Sequence, residues 1–479
     1  MVVMKFGGSS VATAAALARL CAIVSAERRD RVVVVSALGG VTDALLAVAA
    51  RAAARDLEGA VAGLDEIRRR HATMAEGLRE DAGRQALLRD LDAGWRDVDA
   101  LLRAASLLRA CTPAASDAVV AHGELASSRL AAAALNDAGV AARWIDARHV
   151  IATDSRHQQA SPLRAETAAR LAEAVRPLLA RGEIPVIGGF VGATAEGVAT
   201  TLGRGGSDYS AALIGAGLGA AEIQVWTDVD GMLTADPRVF QRARPVDRLS
   251  FREASALAAF GAKVLHPSTV RPAVDAGIPV RILNARRPAG RGTLIADGTA
   301  RRPGPVAGIA SLRGVCAIEV TLPDGADRPR ALAAVYAACA RAHAAVHLTA
   351  VSDASVSVVV SDGPVGDRVM VQLDGGSSAT RRGGLSLVAV VGDGLASDRR
   401  AWSRVLTALE AIPLHVLSRT PGSSHVACVI DQADLALAVE TLHGALFGQP
   451  LSGDDDEPPI GPAAFPPALF QADQQEVRA

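Results

Sequence analysis

The sequence predicts an α/β fold, with an open, mainly parallel sheet sandwiched by helices, followed by two small α+β modules of βαββαβ order. Three observations predict it. The first 43 residues read strand, glycine turn, helix, strand. Arg31–Val35 (R-V-V-V-V) is a continuous β-branched run of the kind found in strands buried on both faces. After Gly298–Pro305 the pattern changes to short strands with interposed helices, and it does so twice over units of about 70 residues.

Taken in order, Val2–Phe6 is a short apolar strand broken by Gly7-Gly8-Ser9-Ser10, and Ala12–Arg28 is a helix leading to the valine run. Strand, helix and strand at this spacing form a βαβ unit, which implies parallel pairing. Residues 44–111 contain no proline and carry Ala, Leu, Arg, Glu and Asp at helical spacing, which predicts two or more long helices inserted into the α/β core. The alternation then resumes: helix Asp117–Asp137, strand Arg143–Asp146, helix Ala165–Arg181, strand Ile184–Gly189, strand Glu222–Trp226, helix Phe251–Gly261 and strand Val280–Leu283. This domain spans 1–297, with residues 298–305 as linker.

Beyond the linker, 306–447 divides into two modules. The first covers about 315–375, with strand Val315–Leu322, helix Arg328–Ala342 and strands Val346–Val351 and Ser355–Val360. The second covers about 384–447 and takes in a strand near 306–311. It holds Leu385–Val391, a helix from Ser397 to Ala411, Leu414–Ser418, Val426–Ile430 and a helix from Gln432 to Phe447. Residues 448–479 are acidic and proline-rich, a composition that predicts disorder.

The chain has 479 residues, 50 Lys+Arg against 51 Asp+Glu, and 21% charged residues. The near balance argues against nucleic-acid binding through a broad cationic surface. Five dispersed cysteines form no C-x-x-C pair, which predicts free thiols in a reducing cytoplasm. The mean hydropathy of +0.24 comes from abundant Ala, Val and Leu; no uncharged apolar run reaches the ~18 residues of a membrane span.

Several segments carry chemistry. Lys5-Phe6-Gly7-Gly8-Ser9-Ser10 puts a lysine at the end of the first strand and two glycines at a turn into a helix, where backbone N–H groups approach an anion closely. The lysine precedes the glycines, so this is not a Walker A loop. Thr200–Ser210 (T-T-L-G-R-G-G-S-D-Y-S) places Arg204 and Asp208 among three glycines, with Ser207 or Asp208 expected to cap the next helix. Trp226-Thr227-Asp228-Val229 and Asp236-Pro237-Arg238 follow a strand end, where open α/β sheets bind ligands. His122-Gly123-Glu124 sets a carboxylate early in a helix, and Phe260–Pro267 (F-G-A-K-V-L-H-P) offers Lys263 at a helix end. Gly215–Ala220 fits G-x-G-x-x-A but closes a helix, whereas a dinucleotide fingerprint must open one. His343 and His347 straddle a helix–strand boundary without further ligands nearby and are not a metal site.

Together these motifs, in order from Met1 to about residue 295, resemble aspartokinases of the amino-acid kinase superfamily. The helical insertion resembles the lysine-sensitive monofunctional type, and the region 306–447 resembles that family's two ACT regulatory modules. The resemblance implies transfer of the ATP γ-phosphoryl group to the β-carboxylate of L-aspartate, giving 4-phospho-L-aspartate, the first step towards lysine, threonine and methionine. It implies that Lys5, Asp208 and Lys263 are catalytic. Ser36, Thr42, Glu124, Arg204 and Ser207 would hold aspartate, Arg204 by its α-carboxylate and Glu124 by its ammonium. Gly7, Gly8, Ser9, Gly206, Thr227, Asp228, Asp236 and Arg238 would line the nucleotide site with the two lysines. Mg²⁺ would enter with ATP, with Asp208 able to organise it. His347, Ser352 and Asp353 would mark an effector site for lysine or threonine, and the modules would pair subunits into a homodimer or homotetramer. Leu233 stands where the family commonly has a nucleotide-contacting tyrosine, and His347 where relatives often have Asp. Other members of the superfamily, and a non-catalytic amino-acid sensor, are the alternative readings.

Overall fold

The computed structural model describes residues 1–262, 267–297, 304–323, 325, 327–373, 378–395, 397–419 and 422–448. Lys263, most of the linker and the tail beyond Gly448 lie outside the described residues.

The chain opens with β1 (Val2–Phe6), α1 (Ala14–Ala26) and β2 (Arg31–Val35). The predicted insertion is three helices, α2 (Val41–Ala53), α3 (Leu57–Glu76) and α4 (Asp81–Leu108). There follow α5 (Pro113–Asp137), β3 (Ala142–Ile145), α6 (Ala147–Val150), α7 (Arg164–Ala180), β4 (Ile184–Gly188), a hairpin of β5 (Val191–Ala193) and β6 (Ala199–Thr201), and α8 (Gly206–Leu218). Then come β7 (Glu222–Thr227), β8 (Arg248–Leu249), α9 (Phe251–Ala259), α10 (Arg271–Asp275), β9 (Val280–Asn284) and β10 (Thr293–Ile295). Eight strands form one sheet in the order β3-β4-β2-β1-β7-β9-β10-β8. The pairs from β3 to β9 are all parallel, and β10 runs antiparallel to β9.

The valine run explains why this sheet is covered on both sides. Val32 and Val34 join the core on one face with Val3, and Val33 and Val35 join the core on the other with Met4 and Phe6; all are fully buried. Successive residues of a strand point to opposite faces, so a run without polar positions needs helices on both. Two helix starts are set locally: the Thr13 hydroxyl accepts from the Ala16 N–H, and the Thr112 hydroxyl accepts from the Ala115 N–H with Pro113 in the first position.

Two sequence expectations change here. Helix α5 begins at Pro113, so Glu124 lies in its middle and not near its start. Helix α8 is capped by Gly205 in a left-handed conformation (φ 67°), without a side-chain cap. Ser207 and Asp208 instead occupy its first turn, which frees both side chains for the cavity described below.

The C-terminal part contains β11 (Gly308–Thr321), α11 (Arg328–Arg341), β12 (Leu348–Val351), β13 (Ser355–Ser361), α12 (Pro364–Leu373), β14 (Ser378–Val391), α13 (Arg399–Ala408), β15 (Val416–Arg419), β16 (His425–Asp431) and α14 (Leu435–Phe447). Its strand order is β12-β13-β11-β14-β16-β15. The strand expected near 306–311 and the strand expected from Val315 are one strand, β11, paired with β14 on both sides of a register shift between Arg313 and Val315. Gly314, at φ 67°, absorbs that bulge, so the backbone crosses from one module to the other without a break in pairing.

The two parts share core. Ala235 sits in the cluster formed by α13, α14 and β16, with Val239, Phe240 and Ala243 packed against it. The buried Thr234 hydroxyl lies 3.0 Å from His443 Nε2 on α14. Among the described residues no helix is long and apolar enough to cross a membrane.

Candidate active site

The parallel strands β1, β2, β4 and β7 end side by side, and their C-terminal loops build a cavity of about 470 Å³. Lys5, near the end of β1, is 9% exposed, and its Nζ lies 2.6 Å from Asp208 Oδ1 in the first turn of α8. The pair joins the sheet to the helix across the cavity floor. The N-terminus of α8 presents Gly206, Ser207 and Asp208 to the same space; the Gly206 and Asp208 N–H groups donate to the Gly203 and Gly205 carbonyls at 3.0 Å, and the helix dipole favours an anion there.

The loop after β2 forms the facing wall: Ser36, Ala37, Leu38, Gly39, Gly40 and Thr42 all line the cavity. It packs against the Gly7-Gly8 turn so closely that a Cβ on Gly8 would stand 3.0 Å from the Ala37 carbonyl oxygen. The Gly39 N–H donates to the Gly8 carbonyl at 3.1 Å, and the Ser127 hydroxyl of α5 donates to the Ser36 carbonyl at 2.7 Å. Gly123 is a costly residue inside a helix. Here a Cβ would stand 3.1 Å from the Ala37 side chain, so its absence lets α5 approach the loop.

That approach delivers Glu124. Its side chain is 3% exposed, and Oε2 has no hydrogen-bond partner. Burial pushes its carboxyl up to about 8, opposed by the Ala37 backbone N–H. A buried carboxylate with one unsatisfied oxygen facing a cavity is a ready acceptor for a cationic ligand group. His122 serves a different end: its Nδ1 lies 2.8 Å from the Ala118 carbonyl, and its ring packs towards Trp95, away from the cavity.

Arg204, exposed in the Gly203–Gly205 loop, stands at the cavity mouth. Phe190 lines the cavity as well and was missed by the sequence reading. It holds a positive φ of 66°, uncommon for an aromatic residue, with its N–H donating to the Ser210 hydroxyl. The available signal was the Gly188-Gly189 break at a strand end, since backbone strain of this sort concentrates at ligand sites.

The structure thus brings Lys5, Gly8, Ser36, Thr42, Glu124, Arg204, Gly206, Ser207 and Asp208 together around one space. Gly7, Ser9 and Thr227 are not among the residues that line it: the Gly7 N–H donates to the Trp226 carbonyl, and Trp226 pairs with Phe6 across β1 and β7. The Thr227 hydroxyl donates to the exposed Asp228 carboxylate. Asp236 and Arg238 do not line the cavity; they pair with each other at 2.7 Å on the segment packed against α14. Lys263 lies outside the described residues. His347, Ser352 and Asp353 do not converge. His347 precedes β12, while Ser352 and the exposed Asp353 form the turn after it, ~16 Å further along an extended chain.

Residues 1–284 match the model of the amino acid kinase family. The chain is 34% identical to lysine-sensitive aspartokinase 3 of Escherichia coli (strain K12) over 460 residues, which is 93% of this chain and 99% of that protein. The chain belongs to the aspartokinases of the amino acid kinase family. It is also 31% identical to the chloroplastic aspartokinase 1 of Arabidopsis thaliana, over 96% of this chain and 82% of that one. Its fold superposes on E. coli aspartokinase III in complex with aspartate and ADP (R-state) with a TM-score of 0.78, at 33% identity and covering 93% and 100% of the two chains. Against the same enzyme in complex with lysine and aspartate (T-state) the TM-score is 0.82, at 33% identity, covering 93% and 99%. As aspartokinases, such chains are ATP-dependent phosphotransferases with a carboxylate acceptor, and the glycine run Gly215–Ala220 closes α8 ahead of β7 as a helix end.

Proposed function

We propose that the chain transfers the γ-phosphoryl group of ATP to the β-carboxylate of L-aspartate, with the cavity between β1, β2 and α8 as the reaction site. The observation that carries this reading is the distribution of charge around that cavity. A buried carboxylate with an open oxygen (Glu124), an exposed guanidinium (Arg204) and a lysine–helix N-terminus anion site (Lys5, Gly206–Asp208) match an ammonium, an α-carboxylate and a polyphosphate respectively. The E. coli relative was crystallised with aspartate and ADP, which supports the same ligand pair.

The acceptor is ionised at pH 7, so the reaction needs no general base. What it needs is an anion held against a polyphosphate, and cations and fixed backbone donors supply that. Asp208 keeps the Lys5 ammonium directed across the cavity until phosphate oxygens arrive. Lys263 and Ser9 would complete the phosphate contacts, with Gly7, Thr227, Asp228, Asp236 and Arg238 on the nucleotide side. Among the described residues no group of three or more His, Cys, Asp and Glu could hold a metal ion. Asp208 beside the polyphosphate site suits Mg²⁺ that enters already bound to ATP and keeps most of its waters. When bound, the ion would neutralise phosphate charge, and Asp208, among the carboxylates that line the cavity, would organise it.

We assign regulation to the C-terminal modules, with lysine or threonine as effector; the E. coli relative was crystallised with lysine. The contacts that α9 makes with these modules support this reading, since Lys263 follows α9 by four residues in the sequence. Glu253 accepts the Asp393 N–H at 2.8 Å, Arg252 donates to the Gly422 carbonyl, and Phe260 packs its ring 4.8 Å from His425. We assign pairing of subunits into a homodimer or homotetramer to the same modules, whose sheet ends in β12 and β15. Free cysteines and MgATP chemistry favour the cytoplasm.

The deciding experiment traps the acyl phosphate as its hydroxamate, with ATP and Mg²⁺, comparing L-aspartate with L-glutamate and titrating lysine and threonine. Aspartate-specific product is expected; no product with aspartate would leave a non-catalytic sensor as the better reading. In the same assay Arg204→Ala is expected to raise KM for aspartate ~20-fold and to leave KM for ATP unchanged, a value below that for a buried pair because Arg204 is solvent-exposed. Equal effects on both substrates would remove its role in specificity.

A further inference from the structure

Asp117 is a buried carboxylate that the proposed mechanism does not use. Asp117 lies on α5 seven residues before Glu124, two turns away on the same helix face, and is 2% exposed. Its Oδ2 accepts from His157 Nδ1 at 3.0 Å, from the Gln158 N–H at 2.9 Å and from the Thr201 N–H at 3.3 Å. Its Oδ1 accepts the Thr201 hydroxyl at 2.6 Å. One side chain therefore ties together three separate segments: α5, the turn around residues 155–160 and the end of β6.

Each tie leads to the loop that carries Arg204. Thr201 stands three residues before it, and the Ala160 N–H donates to the Thr201 carbonyl at 2.9 Å. Gly203, at φ 78°, lies against the Gln158 carbonyl, where a Cβ would stand 3.3 Å away. Gln158 itself holds φ 70°, a left-handed conformation uncommon outside glycine, and its N–H is one of those that Asp117 accepts. Below this network the buried hydroxyls of Thr153 and Thr200 lie 2.7 Å apart. A buried carboxylate persists only when donors surround it, and a fully satisfied polar network is rigid.

We propose that Asp117 is a positioning residue for substrate specificity: by anchoring Thr201 and the Gln158 turn, it sets where the Arg204 guanidinium stands over the cavity. This rests on the proposed role of Arg204 in gripping the α-carboxylate. Asp117 touches no substrate. It acts through the loop.

The test measures kcat and both KM values for Asp117→Ala, Asp117→Asn and Thr201→Val, alone and combined with Arg204→Ala, together with the rate of tryptic cleavage after Arg204. Asp117→Ala is expected to raise KM for aspartate about tenfold, to leave KM for ATP within about twofold, and to speed cleavage at Arg204. Asp117→Asn keeps an oxygen for the Gln158 and Thr201 N–H groups, while the Thr201 hydroxyl turns to accept, so it should restore most of the affinity. In the Arg204→Ala background the Asp117 substitutions should add nothing to KM for aspartate. Parallel rises in both KM values, or full additivity with Arg204→Ala, would overturn the proposal by showing general structural support. Cleavage unchanged in Asp117→Ala would overturn it independently. If Arg204→Ala alone leaves KM for aspartate unchanged, the role of Arg204 fails and the specificity role of Asp117 with it; the cleavage rate still reports separately whether Asp117 orders the loop.

Discussion

Replacing Lys5 with alanine is expected to lower kcat ~10²–10³-fold, the scale seen when a fixed donor to developing transition-state charge is removed. Three features make Lys5 more than a solvated cation. It belongs to a strand buried on both faces, so its Cα is held by the sheet. Its Nζ is directed by Asp208 at 2.6 Å, with both side chains largely withdrawn from water. Gly7, lacking a side chain, leaves the space beside Nζ open, since a Cβ there would lie 3.7 Å from it. Lys5→Arg is not expected to restore turnover, because a planar fork does not reproduce a compact ammonium between Gly7 and Asp208. Measured kcat decides the matter: turnover near that of the parent in Lys5→Ala would remove its phosphate role, and a rise confined to KM for ATP would reduce it to ground-state binding.

Replacing Glu124 with glutamine is expected to raise KM for aspartate ~10²-fold at pH 8.5, while raising the stability of the ligand-free protein at the same pH. Both effects follow from burial. In the unfolded chain the carboxyl ionises around 4.5; in the fold it is pushed up to about 8. Below the unfolded value both states carry the proton and the group is neutral towards stability. Between 4.5 and 8 the unfolded chain releases the proton and the folded one retains it, so stability falls as pH rises. Above 8 the loss is complete, on the order of 5 kcal/mol, and glutamine avoids it. The unfolding midpoint of Glu124→Gln relative to the parent should therefore climb from pH 5 to pH 9. An ammonium ligand reverses the balance by supplying the missing counter-charge at Oε2. In the parent, KM for aspartate should fall about tenfold per pH unit towards pH 8 and then level off, and Glu124→Gln should lose that dependence. A flat KM profile in the parent would show that Glu124 does not meet the ammonium.

Most of the fold was legible because its strands announce themselves. Val2–Phe6 and Arg31–Val35 are strands with the boundaries the sequence suggested, since β-branched runs flanked by glycine or charge have few other stable arrangements. The starts of α5 and α8 were less legible. In α5, Thr112-Pro113 moved the start four residues upstream and turned Glu124 from a helix-start carboxylate into a mid-helix one. In α8, a glycine cap replaced the expected side-chain cap, so Asp208 was free to meet Lys5. The continuity of β11 was hidden because Gly314 reads as a break, although its positive φ lets pairing run through.

The sequence by itself determined the two-part α/β and α+β architecture, the glycine turns and the residue types that make an anion site. These depend on local periodicity and backbone freedom, which neighbours along the chain set. Only the tertiary structure decided that Glu124 would be buried with an open oxygen, that Phe190 would line the cavity at a positive φ, and that Asp117 would reach the loop of Arg204 across 84 residues of sequence. Burial and hydrogen-bond satisfaction arise where distant segments meet, and no local pattern specifies which segments those are.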